Sequence, residues 1–315
     1  MSRKLRIAAA QLGPMHRSDS RRNATTRLVS MLREAHGMGA RFVVFPELAF
    51  TTFFPRWWME DQEEVYRLYF ESSMPSPETA PLFEEARKLG VGFYIGYAEK
   101  VEEEGRLRRF NAAILVGPDG NIVGKYRKIH LPGHAEHKPD ATFQHLEKKY
   151  FEVGNLGFRV WRYLDTVAGM LICNDRRWPE AFRVLALQGA ELVALGFNTP
   201  TENLHYPEPP ALRVHHHLIM AQAMAFQNAT WLVETAKCGF EDGFRMFGNS
   251  VIVAPTGEIA ARSQTEEDEV IAFTCDMNLA ANLKKTMFDF AAHRRPEHYR
   301  LIVERVGTEV TPANG

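Results

Sequence analysis

Positions 41–46 read RFVVFP, and the five residues from Phe42 to Pro46 are all apolar, with no alternation. A strand wetted on one side alternates apolar with polar residues, whereas a strand covered on both faces does not. VGFYIGYA at 91–98 and VAGMLI at 167–172 have the same character. Segments of helical spacing separate such runs. Residues 20–37 bring Ala24, Leu28, Met31, Leu32 and Ala35 to one face, with Gly37 and Gly39 as stop signals. Residues 76–89 form a second helix, with Pro77 near its start and Gly90 at its close. Strands that alternate with helices and are buried on both faces specify an α/β domain in which helices cover sheets.

The remaining pattern fills in this frame. Residues 5–11 predict a first strand, 179–188 a helix, 191–197 a strand, 211–228 a long helix, 230–235 a strand and 269–275 the last clear strand. Two hairpins are expected. One pairs 110–116 with 121–127 around Pro118-Asp119-Gly120, the other 249–254 with 258–261 around Pro255-Thr256-Gly257. In such turns proline presets φ and glycine tolerates its positive values. Hairpins make the sheets mixed rather than purely parallel. Residues 130–157 and 198–210 read as loops, and the region after Asn278 is weakly patterned. No linker divides the chain, so residues 1–306 are expected to form one domain, with 307–315 as a flexible tail.

Composition excludes several partners. The 315 residues carry a formal net charge of -1, so no strong field favours nucleic acid or an anionic membrane surface. No apolar run approaches the ~18 residues of a membrane span. Cys173, Cys238 and Cys275 are too few and too scattered for a disulfide framework, which points to a reduced, cytoplasmic setting.

The chemistry gathers around VAGMLICNDRRWPE, 167–180. A buried strand ends there at Cys173, and Trp178-Pro179-Glu180 reads as the first turn of a helix. A cysteine on a sharp strand-to-helix turn is either a small buried hydrophobe or an exposed nucleophile with backbone N–H groups beside it. A buried thiol needs a base or a cation to favour thiolate. Glu47, just past the apolar run, is either a solvated strand-end residue or a partly desolvated base. Lys128 lies in GKYRKIHLPG, 124–133, where alternation puts Lys125 and Arg127 on one side and Tyr126 and Lys128 on the other. Cys173, Glu47 and Lys128 would then form a Cys–Glu–Lys set. Arg176 and Arg177 are either surface charges or a fork for a substrate carboxylate, and they argue against a cationic substrate. His130, His134, His137 and His145 cluster in one stretch, but no HExxH occurs and the intervening loop does not put two ligands on one helical face. Of the three consecutive histidines, His215 is expected in the pocket, with His216 and His217 as packing or surface residues.

FPEL at 45–48, YRKIHL at 126–131 and the Cys173 strand-turn resemble, in order and separation, the catalytic segments of the nitrilase superfamily. The resemblance spans roughly residues 5 to 300. It implies a four-layer αββα sandwich with mixed sheets, no metal, no cofactor, and protomers that pair as a homodimer or homotetramer. It also implies Glu47 as general base, Lys128 as oxyanion stabiliser, Cys173 as nucleophile and Glu147 as a second carboxylate that positions Lys128. Arg176 and Arg177 match a pair associated with a substrate carboxylate, and Asn174 matches the residue whose N–H faces the oxyanion. His130, His145, Asn198 and His215 match pocket positions. TTFFPRW, FQHLEKKYFE, CNDRRWPE and HRRPEHY resemble the branch that hydrolyses N-carbamoyl-D-amino acids to D-amino acid, ammonia and carbon dioxide. The segments 135–142 and 201–210 depart from that pattern and are expected to border the site. The competing readings are a related amidase acting on another N-carbamoyl compound or an ω-amide, a metal-dependent amidohydrolase using the histidines, and a non-catalytic binding protein.

Overall fold

Alternating burial in one sheet shows how the layers form. In the computed structural model, which describes residues 2–141, 143–202 and 208–310, Ile7, Ala9, Phe42, Val44 and Tyr94 point to one face of this sheet. Their chain neighbours Ala8, Ala10, Val43, Phe45 and Phe93 point to the other. Both sets are fully buried. The second set packs against the helix Arg21–Gly37 and the helix Ala80–Leu89, which touches it through Leu82, Phe83 and Ala86. The first set meets a second sheet, whose strands carry Ala168, Met170, Ile172, Ala194 and Val233 in the same core. The helices Pro179–Leu187 and Pro210–Asn228 contribute Phe182, Leu185, Ala221 and Ala225 to that core.

The first sheet runs in the order Glu269–Asp276, Lys4–Gln11, Phe42–Val44, Gly92–Glu103, Arg106–Val116, Ile122–Arg127, with Phe70–Glu71 beside Gly92–Glu103. Its three central strands are parallel, and Gly92–Glu103, Arg106–Val116 and Ile122–Arg127 form an antiparallel meander. The second sheet runs Ile259–Arg262, Val251–Val253, Trp231–Ala236, Leu192–Phe197, Thr166–Ile172, Val160–Tyr163, again parallel at its centre and antiparallel at its edges. The fold is thus α/β with mixed sheets. Tyr94 links the sheets directly: its hydroxyl donates to the Leu171 carbonyl at 2.8 Å and accepts from the Gly196 N–H at 3.1 Å. Among the described residues no helix is long and apolar enough to cross a membrane.

Three expectations need correction. The run at 41–46 is a strand only over Phe42–Val44, because the chain turns away at Phe45 to deliver Glu47, and Leu48 takes a φ of +47°. The second helix begins at Ala80 rather than 76, since Ser76 is held in a turn by Thr79, whose hydroxyl accepts its N–H at 2.8 Å. The stretch after Asn278 is more regular than its pattern implied: Met277–Lys284 is a helix capped by the Asp276 side chain, which accepts from the Asn278 N–H. The helix Gln62–Tyr69 and the strand Phe244–Phe247, which pairs with Cys238–Glu241, carry no signal read from the sequence. Of the expected tail, 307–310 is exposed and has neither helix nor strand, and 311–315 lies outside the described residues.

Candidate active site

The strand Thr166–Ile172 ends at Cys173, which opens a tight 3-10 turn, Cys173–Arg177, ahead of the helix Pro179–Leu187. Cys173 has a φ of +45° and is 2 % exposed. A non-glycine residue holds that conformation only when its surroundings impose it. Asp175 does so. Its Oδ2 accepts from the Ile172 N–H at 3.0 Å and the Tyr126 hydroxyl at 2.8 Å, and its Oδ1 accepts from the His130 N–H at 3.1 Å. The His130 ring nitrogen Nδ1 lies 2.8 Å from the same Oδ1, and the ring stacks on Trp178. One fully buried carboxylate therefore pins the turn to the end of its own strand and to the segment 126–130.

Glu47 sits where the two sheets approach each other. A Cβ on Gly96 would lie 2.7 Å from the Glu47 Cα, and one on Gly196 would lie 2.4 Å from the Glu47 nitrogen. Only glycine at both positions lets the backbone pass. Glu47 Oε1 accepts from Lys128 Nζ at 2.8 Å and from Asn111 Nδ2 at 2.7 Å, while Oε2 accepts from the Asn198 N–H at 3.0 Å. Lys128 follows the strand Ile122–Arg127, and the expected split of the basic residues is observed. Lys125 and Arg127 both pair with Glu99, while Lys128 turns inward. Its Nζ also donates to Glu147 Oε2 at 2.6 Å, and Glu147 Oε1 lies 3.0 Å from His145 Nε2. Glu47, Lys128 and Glu147 are all fully buried.

The charges set the resting protonation. Burial opposes the Lys128 ammonium, but Cys173, Glu147 and Glu47 outweigh it and raise its pKa above the usual lysine value. Burial likewise opposes ionisation of Glu147, yet Lys128 and the His145 hydrogen bond hold its carboxyl at about 2. Burial and then Glu47 push the Cys173 thiol up, with Lys128 and Arg176 acting the other way. Cys173 therefore rests as a thiol. A proton passed from Cys173 to Glu47 changes no net charge in the cluster, and Lys128 remains to face the anion that forms.

A cavity of about 240 Å³ opens over this cluster, lined by Cys173, Asn174, His145, Asn198, Arg177 and Arg213 among others. Sequence reasoning thus named most of what the structure brings together. Glu47, Lys128 and Glu147 form the buried charge cluster, and Cys173, Asn174, His145, Asn198 and Arg177 line the cavity. Three positions differ. His130 does not line the cavity above Cys173 but lies behind the turn, held by Asp175. Arg176 is 2 % exposed and points inward, donating to Thr199 Oγ1 at 2.8 Å and the Cys173 carbonyl at 3.2 Å, with its guanidinium 4.3 Å from the Phe197 ring centroid. It does not pair with Arg177 as a surface fork. His215 is exposed on the helix Pro210–Asn228, and the buried histidine is His217, whose Nδ1 lies 3.1 Å from Glu234 and whose Nε2 lies 2.9 Å from the Asn249 carbonyl. At about 100° per residue, positions two apart on a helix point in nearly opposite directions.

The sequence held a signal for this. Arg213, His217, Ala221 and Ala225 repeat every fourth residue, which puts them on one face. That spacing also places Arg213, which sequence reasoning missed. Asn111 and Asp175 were missed as well. Asn111 is the polar residue in an otherwise apolar run, FNAAILV. The segments that depart from the family pattern are described only in part, since 142 and 203–207 lie outside the described residues. Among the described residues no three His, Cys, Asp or Glu side chains are grouped to hold a metal ion.

Residues 6–285 match the carbon-nitrogen hydrolase family. The chain is 34% identical over 272 residues to a nitrilase of Pyrococcus abyssi, covering 85% of this chain and 90% of that protein. It is 28% identical to N-carbamoylputrescine amidase of Arabidopsis thaliana, over 88% of this chain and 89% of that one. The crystal structure of a carbon-nitrogen hydrolase from Helicobacter pylori has the same fold, with a TM-score of 0.81 at 23% identity over 96% of this chain and 99% of the other. The chain therefore belongs to the carbon-nitrogen hydrolase family, within the nitrilase superfamily, and is an enzyme of C–N bond hydrolysis.

Proposed function

We propose that this enzyme hydrolyses N-carbamoyl-D-amino acids to the D-amino acid, ammonia and carbon dioxide. The observation that carries the reading is the placement of Arg177 and Arg213 in the same cavity as Cys173. Guanidinium groups suit a small substrate with its own carboxylate, through paired N–H donors. They oppose the cationic tail of the compound for which the Arabidopsis relative is named. The D preference rests on the resemblance of the segments quoted above.

In this mechanism Glu47 takes the Cys173 proton as the thiolate attacks the ureido carbon. Glu47 Oε2 accepts a single hydrogen bond, from the Asn198 N–H, and so has room for that proton. Lys128 Nζ and the Asn174 N–H stabilise the oxyanion; loss of one such donor typically costs about 10²–10³-fold in rate. Glu47 returns the proton to the leaving ammonia. A water activated by the same carboxylate then attacks the carbamoyl-cysteine, and the released carbamate loses carbon dioxide to give the amino acid.

One observation favours a second reading. Glu202 is the one carboxylate among the described residues of the cavity lining and would suit an N-carbamoyl substrate that also carries a cation. The deciding experiment is ammonia release from the D and L forms of one N-carbamoyl amino acid and from N-carbamoylputrescine, with Cys173→Ala alongside. Turnover of the D form alone, lost in the variant, supports the proposal. Turnover of N-carbamoylputrescine alone keeps the family chemistry and removes the proposed substrate. Activity that survives in Cys173→Ala would remove Cys173 from the mechanism.

A further inference from the structure

The two neighbouring arginines of the catalytic turn face different tasks, and a third arginine stands where a pair is needed. Arg176 is spent on the nucleophile's own surroundings. Besides Thr199 and the Cys173 carbonyl, its Nη1 lies 3.8 Å from Cys173 Sγ, a cation beside the sulfur. It does not line the cavity above Cys173. Arg177 and Arg213 do, and both also line, together with Arg176, a smaller adjoining cavity of about 90 Å³, so of the three arginines only Arg177 and Arg213 stand at the boundary between the two.

Arg213 is built to receive a ligand. Its side chain is 9% exposed, and its Nη1 donates to Glu208 Oε1 at 3.0 Å, which fixes the direction of the guanidinium plane. Its Nε is buried and has no hydrogen-bond partner among the described residues. A buried N–H without an acceptor carries a cost of about 1–3 kcal/mol, and a bound carboxylate would remove it. Arg177 is turned by its own hydrogen bond, Nη1 to Asn174 Oδ1 at 2.9 Å. Asn174 in turn donates to the His130 carbonyl at 3.1 Å, so this guanidinium is indexed to the catalytic turn.

We propose that Arg213, together with Arg177, holds the anionic end of the substrate, and that Arg176 instead serves the Cys173 sulfur. The proposal deepens the reading given above and rests on it for the identity of the substrate, but not for the existence of an anion grip. Arg213 is thereby a specificity-determining residue, supplied by the first turn of a helix far along the chain from Cys173.

The test reads the grip without any substrate. Iodoacetate and iodoacetamide both alkylate a thiol with loss of iodide, and they differ in that one carries a carboxylate and the other a neutral amide. The rate of Cys173 alkylation by each is followed by mass spectrometry and divided by the rate for free cysteine. The expected wild-type result is a preference for iodoacetate of roughly 10-fold or more, the scale of one charge-assisted hydrogen bond. Arg213→Gln is expected to abolish that preference while the iodoacetamide rate stays within about twofold, and Arg176→Lys to slow both reagents alike. Should Arg213→Gln fail to fold, the double variant Arg213→Gln with Glu208→Gln removes both paired charges together and is read in the same way. A preference that persists at the wild-type level in the glutamine variant overturns the proposal, as does a wild type with none. A chain that shows the preference yet releases no ammonia from N-carbamoyl amino acids keeps the grip and loses the proposed substrate. Turnover with no preference does the reverse.

Discussion

Replacing Glu147 by glutamine keeps the shape of the side chain and removes one buried charge. The wild-type carboxylate accepts from Lys128 Nζ at 2.6 Å and meets His145 at 3.0 Å. Against the cost of burial, these partners hold its carboxyl at about 2, compared with an ordinary value of 4.5. At 1.36 kcal/mol per tenfold, that difference corresponds to roughly 3 kcal/mol of folding stability at pH 7. A depressed carboxyl contributes stability that is fully present above its unfolded value and is lost as pH falls toward its folded value. The gap between wild type and Glu147→Gln in urea unfolding should therefore be about 3 kcal/mol at pH 7, remain so down to about pH 5, and shrink to about 1 kcal/mol by pH 3. Lys128 keeps Glu47 as a partner but its second anchor loses its charge and holds it less firmly, so kcat should also fall, by up to about 10²-fold for a catalytic group shifted by an ångström. A stability gap that does not change between pH 7 and pH 3 would refute the argument, because the contribution would then come from shape rather than charge.

Three further outcomes are expected. Gly196→Ala puts a Cβ 2.4 Å from the Glu47 nitrogen, which should destabilise the fold by about 1–3 kcal/mol and lower kcat by displacing Glu47, both measurable on purified protein. Asp175→Asn replaces one of two accepting oxygens with a donor that faces N–H or O–H groups; a loss of about 1–3 kcal/mol in denaturant unfolding and a slower reaction of Cys173 with iodoacetamide should follow. Leu301, Ile302, Val303, Val306 and Val310 are all exposed, and if the expected pairing of protomers covers them, a chain ending at residue 299 should show a lower mass by light scattering at equal concentration.

Much of the site was legible because its residue types are unusual for their settings. A glutamate directly after FVVFP, a lysine on the inward phase of YRK, and a cysteine between VAGMLI and a proline-started helix each break a local pattern. Asp175 was quoted within its motif but assigned no role, since nothing local shows that its two oxygens serve Tyr126 and His130, which are distant in the chain. The histidines show the same limit. Three in a row leave the phase of the helix open, and only packing on the sheet through Ala221 and Ala225 turns His217 inward and His215 out.

The sequence by itself determined the elements and the faces they bury, because a period of two or of 3.6 residues and an unbroken apolar run are local facts that solvent reads directly. It also supplied the reacting groups, whose identities are independent of fold. Only the tertiary structure decided which carboxylate, cation and thiol share a desolvated space. Glu47, Asn111, Lys128, Glu147, Cys173 and Asn198 come from separate segments and meet where the two sheets approach at Gly96 and Gly196. Tertiary packing also separated Arg176 from Arg177 and brought in Arg213. A charged side chain goes where its desolvation is compensated, and for these residues the compensating partner lies elsewhere in the chain.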